Sequence, residues 1–178
     1  SDLLQGYPSE RIEAFVAYHK AAGGVSRYAK FSHFFEEMHP VDDPEAATRL
    51  ALERYASEVR EALRTCPLVP GVEELLRVLY ESSRPMAVIS GGDEREVREV
   101  LAARGLNRCF AHILGSPTTK YENVERLRRA GFPLSSVLFF GDAHLDCQVA
   151  EANGFHFAFV SYESEWREGP GYCARAGH

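Results

Sequence analysis

Apolar side chains recur at helical spacing through the first third of the chain. The main sets are Ile12, Phe15 and Val16, then Tyr28, Phe31, Phe34 and Phe35, then Ala47, Leu50 and Tyr55. Spacings of three and four residues align such side chains on one face of a helix. Gly and Pro residues interrupt this pattern at 23–24 and 39–40 and end it at 67–71. The pattern predicts a helical module from Ser9 to about Leu63.

Beyond Pro70, short apolar runs alternate with amphipathic segments. The predicted helices are 72–82, 94–104, 121–130 and 143–153, and the predicted strands are 86–89, 111–114, 137–140 and 156–160. Alternating strands and helices are typical of an α/β fold with a doubly wound parallel sheet. The tail from Glu163 is polar and Gly-rich, and we expect Trp166 to be its one anchor.

Composition narrows the function classes. The 178 residues fit one domain, or one domain with a modest insertion. The chain has 20 basic and 26 acidic residues and no Lys/Arg-rich block, which argues against nucleic acid as a partner. Its four cysteines, Cys66, Cys109, Cys147 and Cys173, lack zinc-ligand spacing, and we expect them to be reduced packing residues. No membrane-length apolar run or secretory pattern occurs, so we expect a cytoplasmic protein without a membrane partner.

The end of the first predicted strand carries groups that suit a phosphate. Ser90, Gly91 and Gly92 follow the apolar run 86–89, and they offer a hydroxyl and two sterically bare amides. In open α/β sheets, ligands bind beyond the carboxyl ends of the strands. Asp93 and Glu96 have capping-box spacing and predict a helix start there. The alternative is an ordinary turn serine.

Lys120 follows the second predicted strand. Thr119 and Glu122 form another capping box, so Lys120 falls in the first turn of a helix. A cation is disfavoured at that positive end of the helix dipole, so we expect an anion to hold it. A bound phosphate or a carboxylate near Asp142 would serve, and a solvated lysine is the alternative.

Two carboxylates follow the third predicted strand. Asp142 and Asp146 come directly after the run 137–140 and Gly141. If a helix starts near Asp142, both carboxylates share one face, about 5 to 6 Å apart at Cβ. Mg²⁺ commonly takes one or two protein carboxylates and completes its shell with water and phosphate oxygens. The alternative is that Asp142 only caps the helix and Asp146 only faces solvent.

In their order and strand-end placement, Ser90, Lys120 and the pair Asp142/Asp146 resemble three motifs of the haloacid dehalogenase superfamily of phosphatases. That family has a Ser or Thr ending a strand, then a Lys at a helix start, then Gly-Asp-x-x-x-Asp. The resemblance covers 70–160, and the helical half resembles the α-helical cap of the phosphoglycolate phosphatase and beta-phosphoglucomutase branch. It predicts a cap at 8–65, a Rossmann-like core at 66–162 and a tail at 163–178.

The resemblance also implies roles for these residues. Ser90 and Gly91 would bind the phosphoryl group, and Lys120 would offset its charge. Ser90 and Lys120 would thereby be catalytic. Asp142 would bind Mg²⁺, with Asp146 as a further ligand or as a carboxylate behind the metal ligands.

The family's first motif, a strand ending in Asp-x-Asp-Gly, is not found in this sequence. Asp2 has no apolar strand before it, and Asp42-Asp43 lies within the helical module and is followed by proline. The resemblance implies that the nucleophile and the general acid are absent, so the chain as printed would be inactive. In the family this first core strand lies between the strands ending at Ser90 and Asp142. We therefore expect a buried slot there, and we favour an upstream segment outside this sequence over a naturally truncated variant.

The cap offers weak substrate candidates. Ser26 is an expected helix N-cap after Gly23-Gly24, and Arg27 and Lys30 lie near one another on that helix. Either cation would meet a sugar or carboxylate group of the substrate if the cap closes over the site. The alternative is a solvated basic face.

Three functions fit these observations. The first is a Mg²⁺-dependent phosphatase of a small phosphorylated metabolite that works through an aspartyl-phosphate intermediate. The second is a noncatalytic module that binds phosphate or a protein, and the third is a phosphoglucomutase-like phosphotransferase. An upstream strand ending in Asp-x-Asp-Gly would favour the enzymes.

Overall fold

A computed structural model describes residue 4 and residues 6–177 of the chain, so Asp2 lies outside the described residues. Its first half is helical, as the apolar spacing predicts. The helices are α1 (Ser9–Ala21), α2 (Arg27–His33) and α3 (Pro44–Thr65), and a π-helical turn spans Phe34–Met38. Ser26 caps α2 as predicted, because its hydroxyl accepts the Ala29 N–H at 3.2 Å.

The aromatic residues of this half pack on one another. Phe34 and Phe35 are fully buried, and the Phe15 and Phe34 ring centroids lie 4.8 Å apart. Ala51 of α3 closes the same cluster. These aromatic residues therefore form a separate hydrophobic core for the helical module.

The second half alternates helices and strands. After α4 (Val72–Glu81) come β1 (Ala87–Asp93), α5 (Glu94–Ala103), β2 (His112–Ser116), α6 (Lys120–Arg129), β3 (Leu138–Gly141), α7 (His144–Ala152), β4 (His156–Phe159) and α8 (Gly169–Ala176). A short 3₁₀ turn, Asn107–Cys109, precedes β2. The fold is α/β with parallel strands and a helical cap, as predicted.

The strands form two parallel pairs. β1 pairs with β2 through Ile89 and Leu114, and β3 pairs with β4 through Phe139 and Phe157. The β1 register shifts between Ile89 and Asp93, at an irregular stretch of the strand formed by Ser90-Gly91-Gly92, which we call the β1 turn. Within the described residues, β1 and β3 are not paired with each other.

Apolar surface is exposed on β3 and on α4. Leu138 and Phe140 alternate along β3 and are 55% and 48% exposed, whereas Phe139 between them packs on the core. In α4, all of which the structure describes, no residue is buried, although its apolar positions include Leu75 and Val78. In doubly wound folds both faces of the parallel sheet are normally covered, so the exposed apolar residues of β3 are unusual for this fold class.

The C-terminal part departs from expectation. Trp166 packs on the core cluster as predicted, but the helix α8 follows it where only a polar tail was expected. Gly169 and Gly171 disfavour a helix, whereas Pro170 is compatible with its first turn, and the burial of Cys173 among core side chains outweighs the cost of the glycines.

Of the four free cysteines, Cys147 and Cys173 are packing residues, and burial raises the pKa of Cys147 to about 12. Cys66 is exposed, so the expectation of packing fails there: it follows the last residue of α3, outside both clusters. Among the described residues, no helix has the length and apolar character to cross a membrane.

Candidate functional site

Lys120 begins α6, and its ammonium group is buried. The Thr119 hydroxyl accepts the Glu122 N–H at 3.2 Å, and the Glu122 carboxylate accepts the Thr119 N–H at 2.9 Å. This capping box, predicted from the sequence, fixes Lys120 as the first helical residue. Lys120 Nζ forms an ion pair with Asp146 Oδ1, and the two side chains are only 8% and 5% exposed. The prediction that an anion holds this lysine is confirmed, and a carboxylate fills that role.

Asp146 is held from both sides. Its Oδ2 accepts the N–H of Ala143 at 3.2 Å, which ties the first turn of α7 to the residue before it. Gly141 allows this close approach, because a Cβ there would lie 2.3 Å from the Asp146 Cβ. α7 begins at His144, so Asp142 lies in the preceding turn. The expectation that a helix from Asp142 aligns the two carboxylates on one face is therefore wrong.

The β1 turn is held by one internal hydrogen bond and by one from β2. The Gly92 N–H donates to Ser90 Oγ at 3.0 Å. The Gly91 carbonyl accepts the hydroxyl of Ser116, at the end of β2, at 2.8 Å. Ser90 and Gly91 thus lie in an ordered turn at the carboxyl end of the strand, where the sequence predicts phosphate binding.

A loop of the cap meets both predicted phosphate-binding elements. Gly24 has a left-handed backbone, with φ of 78°. A Cβ at Gly24 would lie 3.2 Å from Ala143 Cβ and 3.4 Å from Lys120 Nζ. A Cβ at Gly91 would lie 2.7 Å from the Gly24 carbonyl oxygen. The structure therefore brings the β1 turn and Lys120 together around one glycine, and only glycine fits at these contacts.

The two cap cations contact other protein groups. Arg27 Nη2 forms an ion pair with Glu96 Oε2 of α5, and the guanidinium lies 4.9 Å from the Tyr55 ring centroid. Lys30 Nζ donates to the His19 carbonyl at 3.0 Å, and burial lowers the pKa of Lys30. Both side chains are buried, so neither forms the solvated basic face weighed as the alternative.

Asp142 is exposed, in contrast to Asp146. Its carbonyl accepts the Ser164 hydroxyl at 2.5 Å, which ties the C-terminal segment to this turn. His144, the next-but-one residue, lies with its ring centroid 4.9 Å from that of Trp166. The C-terminal segment thus packs beside the site, a contact that local sequence patterns do not reveal.

These residues fit a Mg²⁺ ion only in part. Within residues 4 and 6–177, no three His, Cys, Asp or Glu side chains converge to hold a metal. Asp142 offers an exposed carboxylate, but both oxygens of Asp146 are engaged, by Lys120 and by the Ala143 N–H. Mg²⁺ commonly binds one protein carboxylate and completes its coordination shell with water and phosphate oxygens. Asp142 is the carboxylate that this arrangement offers.

Sequence reasoning missed a buried network behind Lys120. Asn123 is fully buried, and its Nδ2 donates to the carbonyls of Gly115 and Thr118 at 3.1 and 3.2 Å. These bonds hold the loop between β2 and α6. The available signal is a polar residue one turn after Lys120, on the face of α6 that also carries the buried Val124.

A second missed residue is Glu94, which joins three elements. Its Oε2 accepts from Arg126 Nη1 of α6 at 2.7 Å and from the Gly115 N–H of β2 at 3.1 Å. The hydrogen bond from Arg126 is the largest influence, and it helps to lower the pKa of Glu94 to about 2.

Comparisons with known proteins show what the chain is similar to. Residues 22–160 match the family model described as haloacid dehalogenase-like hydrolase. A phosphoglycolate phosphatase of Pseudomonas fluorescens (strain Pf-5) is 30% identical over 132 residues, or 71% of this chain and 48% of that protein. One from Pseudomonas savastanoi pv. phaseolicola is 34% identical over 99 residues, or 52% of this chain and 36% of that protein. The chain spans about half the length or less of these curated relatives.

A solved structure, a predicted phosphoglycolate phosphatase from Haemophilus somnus 129pt, superposes with a TM-score of 0.65. The match covers 90% of this chain and 73% of that chain at 19% identity. At that identity the likeness supports the fold.

Proposed function

The chain belongs to the haloacid dehalogenase-like hydrolase family, and on that premise we propose that it forms the phosphate-binding part of a Mg²⁺-dependent phosphatase. The substrate we propose is a small phosphorylated metabolite, because the relatives described above are phosphoglycolate phosphatases. The observation that carries the proposal is the buried Lys120 ammonium at the start of α6, which shares Gly24 as a neighbour with the β1 turn.

Each group of the site has a task in this proposal. The Ser90 hydroxyl and the Gly91 amide bind phosphoryl oxygens, and Lys120 offsets the charge that develops on them. Asp146 orients the Lys120 ammonium through their buried ion pair. Mg²⁺, when bound by Asp142, would supply a second positive charge beside the phosphoryl group.

The 178-residue sequence does not contain the family's Asp-x-Asp-Gly motif, which carries the nucleophile. We propose that a strand carrying the family's first motif lies between β1 and β3 and supplies the aspartate that becomes phosphorylated. Support comes from the unpaired edges of these strands within the described residues and from the exposed Leu138 and Phe140. A parallel strand there would pair with both edges and cover this apolar surface.

The phosphate site can be tested on the chain as printed. Inorganic phosphate should raise the melting temperature of the wild type in a concentration-dependent manner at constant ionic strength, because a ligand of the folded state stabilises it. Lys120→Met should lose this response, whereas the matched α6 variant Arg128→Met should keep it. An equal response of all three proteins would refute the assignment of Lys120.

The phosphatase activity is tested on a chain extended by its natural upstream sequence. Hydrolysis of p-nitrophenyl phosphate should require Mg²⁺ and stop when EDTA is added. The 178-residue chain alone should be inactive. No metal-dependent turnover across a panel of phosphorylated metabolites would refute the phosphatase.

A noncatalytic phosphate-binding module is the second candidate. The same groups around Lys120 would serve this function, since it needs phosphate binding and no nucleophile. Phosphate-dependent stabilisation without turnover in the extended chain would identify this function.

A further inference from the structure

Two consecutive cap residues contact the first turn of the core helix α5. Arg27 forms an ion pair with Glu96, and the Tyr28 hydroxyl donates to Asp93 Oδ2 at 2.6 Å. Asp93 is also the N-cap of α5, since its Oδ1 accepts the Glu96 N–H at 3.0 Å. We define the Arg27/Glu96 and Tyr28/Asp93 pairs as the clasp.

The clasp lies next to the cap loop that covers the site. Residues 23–25 directly precede Ser26 and α2, so the orientation of α2 determines where this loop lies. Its Gly24 contacts Gly91 and approaches the Lys120 ammonium. The Val25 N–H donates to the Ala22 carbonyl at 3.2 Å, which gives the loop a hydrogen bond whose opening can be followed.

The clasp is poorly built for stability alone. Arg27 Nη1 and Glu96 Oε1 are buried without a hydrogen-bond partner among the described residues. The guanidinium and the carboxylate therefore do not form a bidentate pair. A buried ion pair can often be replaced by apolar side chains without loss of stability. An ion pair and a directed hydroxyl hydrogen bond fix the orientation of α2 relative to α5. Apolar side chains would not fix it in this way.

The electrostatics of the Tyr28/Asp93 contact agree with a directed bond. Burial and the hydrogen bond to Asp93 raise the pKa of Tyr28 to about 12. The pKa of Asp93 is lowered, because hydrogen bonds from Tyr28 and the Glu96 N–H outweigh the opposing effect of burial. The phenol therefore donates and the carboxylate accepts throughout the neutral range.

We propose that Arg27 and Tyr28 are positioning residues: through Glu96 and Asp93 they hold the loop 23–25 over the phosphate site. The inference rests on the proposed function for the identity of that site. The contact of the loop with the core does not depend on that function. A loosened clasp would let the loop move away from Gly91 and Lys120 and admit water to the phosphate.

Hydrogen exchange measured by mass spectrometry tests the clasp without any activity. In Tyr28→Phe and in Arg27→Met, exchange in the peptide containing Val25 should accelerate about tenfold relative to wild type. Peptides from α6 and β3 should exchange as in wild type. Arg95→Met, which removes an exposed ion pair with Glu99 on the same helix, is the matched control and should leave the Val25 peptide unchanged.

The double variant Arg27→Met/Glu96→Leu separates positioning from stability. It removes both buried charges, so its unfolding midpoint should return to that of the wild type, whereas the midpoint of Arg27→Met alone should be lower. Hydrogen exchange in the Val25 peptide should remain fast in the double variant. Restoration of slow exchange together with the midpoint would overturn the proposal, as would unchanged exchange in Tyr28→Phe.

Phosphate binding distinguishes failure of the clasp from failure of the proposed function. If the clasp acts as proposed, the single variants bind inorganic phosphate several-fold more weakly than wild type. If the wild type binds no phosphate but exchange in the Val25 peptide still accelerates in the clasp variants, the proposed function fails and the clasp stands.

Discussion

The Lys120–Asp146 pair allows a quantitative prediction. Both side chains are more than nine-tenths buried, and they join α6 to α7. Lys120→Met keeps much of the side chain's apolar stem but removes the ammonium group. Asp146 then remains buried with the Ala143 N–H as its other contact.

The expected cost follows from this burial. Removing one partner of a buried ion pair costs about 3 to 5 kcal/mol, because the remaining charge has lost its compensation. Domains of this kind have free energies of unfolding of about 5 to 15 kcal/mol, so the variant should lose a large share of its stability. Lys120→Met/Asp146→Asn should cost clearly less than Lys120→Met alone, because Asn can still accept the Ala143 N–H and buries no charge.

Urea unfolding followed by circular dichroism measures these differences. With a slope of about 1 to 3 kcal/mol per molar urea, the midpoint of Lys120→Met should fall by about 1 to 5 M. Arg128→Met removes an exposed ion pair with Glu125, 51% and 49% exposed, and should cost less than about 1 kcal/mol. The reasoning is refuted if Lys120→Met costs no more than Arg128→Met, or if the double variant is less stable than Lys120→Met.

Three further predictions concern the surroundings of this pair. Gly141→Ala should destabilise the fold by about 1 to 3 kcal/mol in the same urea assay, because its Cβ would overlap Asp146, whereas Gly171→Ala in the open part of α8 should not. The pKa of Glu94 is about 2 in the folded state and lower than in the unfolded chain, so its contribution is present above about pH 4.5 and lost as the pH falls toward 2. The stability difference between wild type and Glu94→Gln, about 1 to 2 kcal/mol at pH 6, should shrink in unfolding curves taken at pH 3. In the extended chain, Asp142→Asn should abolish Mg²⁺-dependent hydrolysis of p-nitrophenyl phosphate, and full retained activity would exclude Asp142 as the metal ligand.

The starts of α5 and α6 could be predicted because their signals are local. A capping box is a contact between residues three apart, so Thr119 and Glu122 reveal it in the sequence itself. The order of strands and helices was predictable for the same reason, since apolar runs and helical periods are read within short windows.

Contacts between distant segments could not be predicted in this way. Glu96 has the spacing of a capping residue, but its carboxylate pairs with Arg27, 69 positions earlier. Asp142 and Asp146 have the spacing of one helical face, yet α7 starts between them, because Asp146 turns back to the Ala143 N–H. In both cases the partner of the carboxylate depends on the tertiary packing, which the local spacing of residues does not show.

The engagement of Asp146 bears on how a phosphate could enter. A phosphoryl group that approaches Lys120 meets an ammonium already paired with a buried carboxylate, so the site carries little net charge of its own. Binding of a dianion is then weak without further positive charge and strengthens when such charge arrives with it, and the exposed Asp142 is the group that can bring a cation. Phosphate affinity of the printed chain should therefore rise with Mg²⁺ concentration, and Asp142→Asn should remove that dependence while leaving the weak metal-free affinity unchanged. Isothermal titration with phosphate at several Mg²⁺ concentrations measures this coupling, and an affinity independent of Mg²⁺ in the wild type would contradict it.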